Sequence, residues 1–246
     1  MPSLLLTLAA LSLTPAYAVS IRVTVTAPGP VGLAPAYATF HDGSFDFFDP
    51  GAAASAALES LAEVGDTSGY THPNGMTIVG GGPFAPNGGT ASAVFDVSNA
   101  DNMFSVAAMI LPSNDWFVGN GSATDVSSLL GGAPVGTLLS FDLSTIWDAG
   151  TELEDFAFSP GNPLVGITTP ANPAGGSPQN GVVALVGGPD PFGAFANLQP
   201  GGFDTTAIDP DGSAIASISL EVVPEPSALL LFALGAASLL IRRRRG

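Results

Sequence analysis

Glycine and proline interrupt this chain so often that it cannot be built mainly from long helices. There are 31 glycines and 22 prolines among 246 residues, together more than a fifth of the sequence, and both residue types mark turns and loops. Hydrophobic residues still make up 46% of the chain, so the composition is not typical of a disordered protein. The length is sufficient to bury a core without disulfides. These features favour one domain of short strands joined by many turns.

Alternation of apolar and polar residues predicts most of the strands. The first such segment, residues 20–27, and the last, residues 214–222, each have one apolar face. Residues 103–111 are uniformly apolar, as expected for a central strand that is covered on both faces. Further short strands, the last of them buried, are predicted at 37–40, 91–97, 137–143 and 182–186. The pattern predicts an all-β fold, an antiparallel β-sandwich.

One short helix is predicted within this strand pattern, at residues 52–64. Asp49 suits the N-cap position and Pro50 suits the first turn. Gly65 can end the helix because glycine readily adopts the left-handed conformation that follows a last turn.

Residues 1–18 are typical of a secretory signal peptide. An apolar run at 4–13 is followed by small residues up to Ala18, which predicts cleavage before Val19. The run is too short to span a bilayer. No Lys or Arg precedes it, and a buried N-terminal segment is the alternative interpretation.

The C-terminal residues 223–246 contain three successive features: Pro224, Glu225 and Pro226, an apolar stretch at 228–241, and four arginines at 242–245. This order resembles the PEP-CTERM sorting signal of Gram-negative bacteria. The resemblance implies an exported protein whose C-terminal hydrophobic helix associates transiently with the inner membrane. An exosortase-type processing enzyme then acts at the Pro-Glu-Pro motif, and the protein reaches the cell surface or the extracellular space. Proteins with this signal usually accompany exopolysaccharide and biofilm formation. An ordinary C-terminal tail anchor is the alternative.

The charge balance excludes several classes of function. The chain has 21 acidic residues and 5 Lys or Arg, and Arg22 is the one basic residue before the arginine tail. Such a surface repels phosphate backbones, so nucleic acid is excluded as a partner. The absence of cysteine excludes disulfides, thiol catalysis and cysteine-ligated zinc. Clustered carboxylates in this chain need water or a hard divalent cation.

Two segments each pair an acid with one of the two tryptophans, and we expect both to be loops. Residues 112–119 contain Asp115, and residues 146–152 contain Asp148 and Glu152 on either side of a glycine. Three carboxylates brought together without a basic neighbour cannot all stay ionised unless a metal is bound. Ligation by oxygen alone favours calcium. The alternative is that these acids are solvated loop residues above packed tryptophans.

Residues 37–222 resemble the spondin N-terminal domain, which is known from F-spondin and mindin of animal extracellular matrix and occurs in many bacteria. The resemblance is carried by the segments 38–46, 49–65, 114–119, 147–152 and 209–212. It implies a C2-like β-sandwich within residues 19–222 and a bound Ca²⁺. The implied ligands are Asp115, Asp148 and Glu152, the last standing where the animal domain has Asp.

The expected function is that of a non-enzymatic adhesion or matrix protein that binds extracellular polysaccharide or a matrix protein. An exported polysaccharide hydrolase is an alternative, which requires two convergent acids that do not bind metal. A calcium-dependent lipid-binding module is another, by analogy with C2 domains, although few basic residues are available to meet anionic membranes. His41 lies beside Asp42, without a serine nucleophile motif, and we expect it to be a surface or strand-end residue.

Overall fold

The computed structural model describes residues 18–29, 31–79, 87–111, 113–153, 158–164, 167–170, 177–187 and 214–225. Residues 1–17 of the predicted signal peptide and the predicted hydrophobic helix at 228–241 lie outside these ranges. No helix in the described ranges is long and apolar enough to cross a membrane.

Two antiparallel sheets form the fold. In the first, the strands, numbered along the chain, lie in the order β5 (Gly89–Ser98), β1 (Ala18–Ala27), β14 (Ala216–Val222) and β9 (Leu138–Leu143). In the second, the order is β13 (Ala184–Leu185), β10 (Ile146–Asp148), β7 (Trp116–Gly119), β6 (Met103–Leu111), β3 (Ala36–His41) and β4 (Gly75–Ile78).

Smaller elements complete the described structure. Two short strands, β2 (Gly32–Leu33) and β8 (Thr124–Asp125), also pair with β6. A hairpin joins β11 (Phe158–Leu164) to β12 (Ile167–Pro170). One α-helix, α1, spans Ala56–Val64, and one 3₁₀ turn spans Ser127–Leu129.

The main core lies between the two sheets and confirms the predicted sandwich. The alternating apolar residues of β1 and β14 face inward, and buried residues of β3, β6 and β7 meet them from the second sheet. Fully burying one large apolar side chain stabilises a fold by roughly 1.5–3 kcal/mol. The inward-facing residues of β1 and β14 are Ile21, Val23, Val25, Ala27, Ala216, Ile218, Leu220 and Val222.

A second cluster lies on the opposite face of the second sheet, under helix α1. Leu58 and Leu61 of the helix pack with Ala107 of β6 and Phe117 of β7. Phe48 contacts Phe117 edge to face, with 5.0 Å between ring centroids. Strand β6 is therefore covered on both faces, which confirms the prediction drawn from its uniformly apolar sequence.

The helix is shorter than the sequence predicted. Its N-cap is Ser55, whose side chain accepts a hydrogen bond from the Leu58 backbone amide, and not Asp49. The residues before the cap form a turn, closed by the Ala52 amide donating to the Asp49 carbonyl. Val183 holds this turn by accepting from the Gly51 amide and donating to the Ala52 carbonyl. Gly65 ends the helix as predicted, with φ of 67°.

The predicted buried strand at 182–186 is also different in the structure. Only Ala184–Leu185 forms a strand, and it lies at the edge of the second sheet. Leu185 is 63% exposed and Val182 is 47% exposed, while Val183 is buried. An edge strand with one open face cannot bury consecutive side chains, since they point to opposite faces.

Candidate metal site at the ends of β7 and β10

The two acid–tryptophan segments, predicted to be loops, form paired strands at their centres. Strand β7 runs antiparallel to β10, with Trp116 opposite Asp148 and Phe117 opposite Trp147. Asp115 directly precedes β7, and its carbonyl accepts a hydrogen bond from the Ala149 amide at 3.1 Å. The pairing therefore brings Asp115 and Asp148 to the same end of the sheet.

Asp115 is fully buried, and its two carboxylate oxygens have different surroundings. Oδ2 accepts hydrogen bonds from the backbone amides of Thr151 at 2.9 Å and Glu152 at 3.0 Å, and from the Thr151 hydroxyl at 3.3 Å. Oδ1 is buried and accepts none. A buried carboxylate oxygen without a donor is destabilising, so Oδ1 is a position at which a cation is favourable.

Asp148 supplies a second carboxylate beside the first. Burial and the neighbouring Asp115 charge raise the pKa of Asp148 to about 6, while a hydrogen bond from the Gly150 amide opposes this rise. Like charges this close repel each other, and either a proton or a cation relieves the repulsion.

Gly150 shapes the turn that follows Asp148. Its φ is +68°, and a Cβ atom there would lie 2.6 Å from the Val182 carbonyl oxygen. The Gly181 amide donates to the Gly150 carbonyl at 2.7 Å. The turn is therefore packed against residues 181–182, and only glycine fits its conformation and its close approach.

Glu152 belongs to the same turn through its backbone. Its amide donates to Asp115, it forms an isolated bridge with Pro178, and its side chain is buried. Among the described residues, no three or more His, Cys, Asp or Glu side chains are arranged so that they could hold a metal ion. The structure thus brings together Asp115 and Asp148, and a ligand role for the Glu152 carboxylate stays a prediction.

Sequence reasoning missed Glu63 of helix α1, which lies near this site. Burial raises the pKa of Glu63, and the charges of Glu59 and Asp115 add to the rise, whereas hydrogen bonding with Thr151 lowers it. No local motif marks this residue. Its position follows from the packing of α1 against β6 and β7.

No basic side chain of the described residues neutralises these acids. Arg22 is the one Lys or Arg before the arginine tail, and it pairs with Glu221 at 2.9 Å on the four-stranded sheet. The donor set of carboxylate oxygens, one of them buried without a partner, fits a hard cation such as Ca²⁺.

Two family models match the chain. The Spondin_N model matches residues 32–164, which is more than half of the 246 residues. The chain belongs to the spondin N-terminal domain family. The second match, at residues 222–245, is to the PEP-CTERM protein-sorting motif. No curated protein matches the chain.

The spondin match contains the whole candidate site but not the whole sandwich. Asp115, Asp148, Glu152 and Glu63 all lie within it. Strands β1 and β14 lie outside it, yet they pair with each other and with β5 and β9. The sorting motif that follows β14 identifies this spondin-domain protein as exported and directed to the cell envelope.

Proposed function

We propose that this protein is a non-enzymatic, calcium-dependent adhesion or matrix component of a Gram-negative bacterium. In this proposal the C-terminal helix holds the exported chain transiently in the inner membrane until an exosortase-type enzyme processes the tail. The released spondin domain then binds extracellular polysaccharide or a matrix protein. The sorting motif at residues 222–245 supports the route, and the carboxylate pair supports the calcium.

One observation carries the calcium proposal: the buried Oδ1 of Asp115 has no hydrogen-bond donor although a second carboxyl, that of Asp148, lies beside it. A Ca²⁺ ion held by Asp115 and Asp148, with Glu152 as the third predicted ligand, neutralises this charge. Backbone carbonyls and water complete the usual ~6–8 oxygen ligands. The ion orders the turn after β10, which presents the surrounding surface to a partner.

One of the two histidines, His41, supports a non-enzymatic role. His41 is fully buried, with one ring nitrogen bonded to the Gly43 amide and the other 3.0 Å from the Ser105 hydroxyl. A general base must reach a substrate proton, whereas both nitrogens of this buried ring already have hydrogen-bond partners within the fold.

Thermal melting with and without calcium tests the metal. A Kd of about 10⁻⁴ M, within the range of extracellular modules, gives about 2.7 kcal/mol of stabilisation at about 10 mM calcium. That corresponds to a rise in Tm of about 5–10 °C for a domain of this size. Asp148→Asn should lose most of this shift, since it removes a charge without changing the side-chain size. It should also melt higher than wild type without calcium at pH 7.5, because it removes the repulsion from Asp115.

The matched control is Asp42→Asn, at an exposed acid whose side chain accepts from the Ser44 amide. It should keep the calcium shift.

The same three processed proteins should then be tested for retention on exopolysaccharide of the producing organism. Retention by wild type and Asp42→Asn, reversed by chelator, and loss in Asp148→Asn are expected. If wild type has the same melting temperature in calcium and in chelator, the proposed metal site is wrong. If wild type stays on the exopolysaccharide in the presence of chelator, adhesion does not require calcium.

A further inference from the structure

Hydrogen bonds at one end of the four-stranded sheet fix the point at which the C-terminal tail leaves the domain. The Val223 amide donates to the Ser20 carbonyl at 2.9 Å, and Val223 itself is buried. On the other side of β14, the Val222 amide donates to the Thr137 carbonyl, and the Val222 carbonyl accepts from the Gly136 amide. The chain is therefore held in the sheet up to Val223, and the tail leaves directly after it.

Little chain separates this exit point from the apolar stretch at 228–241, which we propose above to lie in the inner membrane. The five residues between 223 and 228 extend at most about 17 Å. The headgroup layer on one side of a bilayer takes up about 5–7 Å of that length. An inserted tail therefore holds this end of the sheet within about 10 Å of the membrane surface.

The segment that leads into β9 places exposed apolar side chains beside the exit point. Val135 is 62% exposed and Leu138 is 61% exposed, which puts both among the most exposed large apolar side chains of the described residues. No charged residue occurs between Asp125 and Asp142, although the chain is rich in acids. Neighbouring apolar side chains left open to water are typical of a surface that contacts a membrane or another molecule.

The backbone and the charges around this segment suit such a contact. The turn before Leu138 is closed by the Thr137 amide and hydroxyl, which both donate to the Pro134 carbonyl, at 3.0 and 2.7 Å. Glu221 lies opposite Leu138 in the sheet and forms an ion pair with Arg22 at 2.9 Å. The apolar side chains therefore extend from an ordered turn, and the acid opposite Leu138 already has a counter-ion.

We propose that Val135 and Leu138 insert into the interfacial layer of the inner membrane while the tail is held there. The sandwich then rests on the bilayer in one orientation, with the Pro-Glu-Pro motif at the membrane surface. This inference rests on the tail insertion proposed above. A lipid surface is favoured over a second copy of the chain, because the tail leads from this point into the membrane and the net charge of −16 makes two copies repel each other.

The contact depends on the tail. Even a single acyl chain gives only marginal and reversible membrane binding, so two apolar side chains cannot hold the domain on a bilayer alone. Few basic residues are present to attract anionic lipids, so the contact is apolar and not electrostatic. Removal of the tail should therefore release the domain from the membrane.

Site-specific fluorescence tests the contact in tail-bearing protein, purified from a host without the exosortase-type enzyme. The chain has no cysteine, so Val135→Cys and Leu138→Cys each carry one nitrobenzoxadiazole label. The probe membrane is a phosphatidylcholine vesicle, which has no net charge to repel the acidic domain. Both labels should shift their emission to the blue in vesicles and should be quenched by brominated lipid, because their surroundings become apolar.

Ser144→Cys is the matched control, since Ser144 is exposed and follows β9 at its opposite end. Six residues of strand place it about 20 Å from Leu138, and its label should keep the emission of an aqueous environment. The labels at 135 and 138 should also stay aqueous in processed protein without its tail. Thermal melting of each labelled protein checks that the fold is unchanged.

The outcomes separate this contact from the tail insertion on which it rests. If the tail-bearing protein does not float with vesicles, the proposed insertion is wrong and the contact fails with it. If the protein floats but the labels at 135 and 138 stay aqueous, or all three labels respond equally, only the contact is overturned. A blue shift at 135 that brominated lipid does not quench would mean that a second copy covers this surface, which also overturns the contact. Quenching in the processed protein would contradict its dependence on the tail.

Discussion

At the scale of single residues, His41 is held in its neutral form by its surroundings. The Gly43 amide donates to Nδ1 at 3.1 Å, so the ring proton is assigned to Nε2, which donates to Ser105. Burial is the largest cause that lowers the pKa of His41, and His72 lowers it further. Acidic neighbours oppose this shift: Asp42, Asp101 and Asp46.

A pH-dependent stability follows from this lowered pKa. The unfolded chain takes up a proton near pH 6.5, before the folded ring does. The contribution of His41 is therefore fully present above about pH 6.5 and is lost as the pH falls through the folded pKa. His41→Asn, which keeps an acceptor near Gly43, should reduce the drop in unfolding free energy between pH 7.5 and pH 5.5.

The titration of Asp148 must be excluded from this measurement, because its raised pKa changes the stability with pH in the opposite direction. Its pKa is raised to about 6, so in calcium-free protein its contribution is present below about pH 3.9 and is lost as the pH rises through about 6. Urea unfolding of calcium-free protein is therefore compared in an Asp148→Asn background. His72→Asn should keep most of the drop in unfolding free energy between pH 7.5 and pH 5.5, since burial is the main cause of the lowered pKa of His41. If the unfolding free energy falls equally with and without His41, the fall is not caused by the titration of His41.

At the scale of elements, the start of helix α1 shows how tertiary contacts choose a cap. Asp49 and Pro50 satisfy the local preferences for a helix start, yet Gly51 and Ala52 form backbone hydrogen bonds with Val183 instead. The helix begins after Ser55, which accepts from the Leu58 amide at 3.2 Å. The choice matters for the site because the same helix carries Glu63.

Substitution of the two candidate caps distinguishes them. Ser55→Ala should lower the free energy of unfolding by about 1 kcal/mol, the usual effect of losing an N-cap. Asp49→Ala should have a smaller effect, since the Asp49 carbonyl that accepts from the Ala52 amide is kept and its side chain is exposed. Urea denaturation at pH 7.5 measures both. A larger loss for Asp49→Ala would show that the observed cap is wrong.

At the scale of the whole molecule, the first and last described strands are neighbours in the middle of the four-stranded sheet. Strand β1 pairs with β14 from Ile21↔Val222 to Thr26↔Ser217, and the Val223 amide donates to the Ser20 carbonyl. The sorting motif begins where β14 ends. Cleavage within residues 21–26 or 217–222 would therefore break the pairing of these two strands.

Intact-mass analysis of protein from the native host tests that arrangement. The processed form should begin near Val19, which removes Ala18 but keeps all pairs of β1 with β14, and should lack Arg242 to Arg245. Protein from a host without its exosortase-type enzyme should keep the arginines. An extracellular wild-type form that retains them would contradict processing of the tail.

The sequence alone determined the features that leave a local pattern. Strands with one buried face alternate with period two, so β1, β5, β9 and β14 were predictable within a few residues. A strand buried on both faces is uniformly apolar, as β6 is. The family and the sorting tail were recognisable for a similar reason, since their motifs are short and continuous.

The tertiary structure decided which distant segments meet. The sequence indicated Asp115, Asp148 and Glu152 as one set of ligands, and the pairing of β7 with β10 is what brings Asp115 and Asp148 to the same end of the sheet. Helix α1 carries Glu63 near the site because the helix packs against β6 and β7, and Ser55 is the cap because Val183 bonds to the residues before it. These outcomes follow from hydrogen bonds and burial between segments far apart in the chain, which no local pattern of residues records.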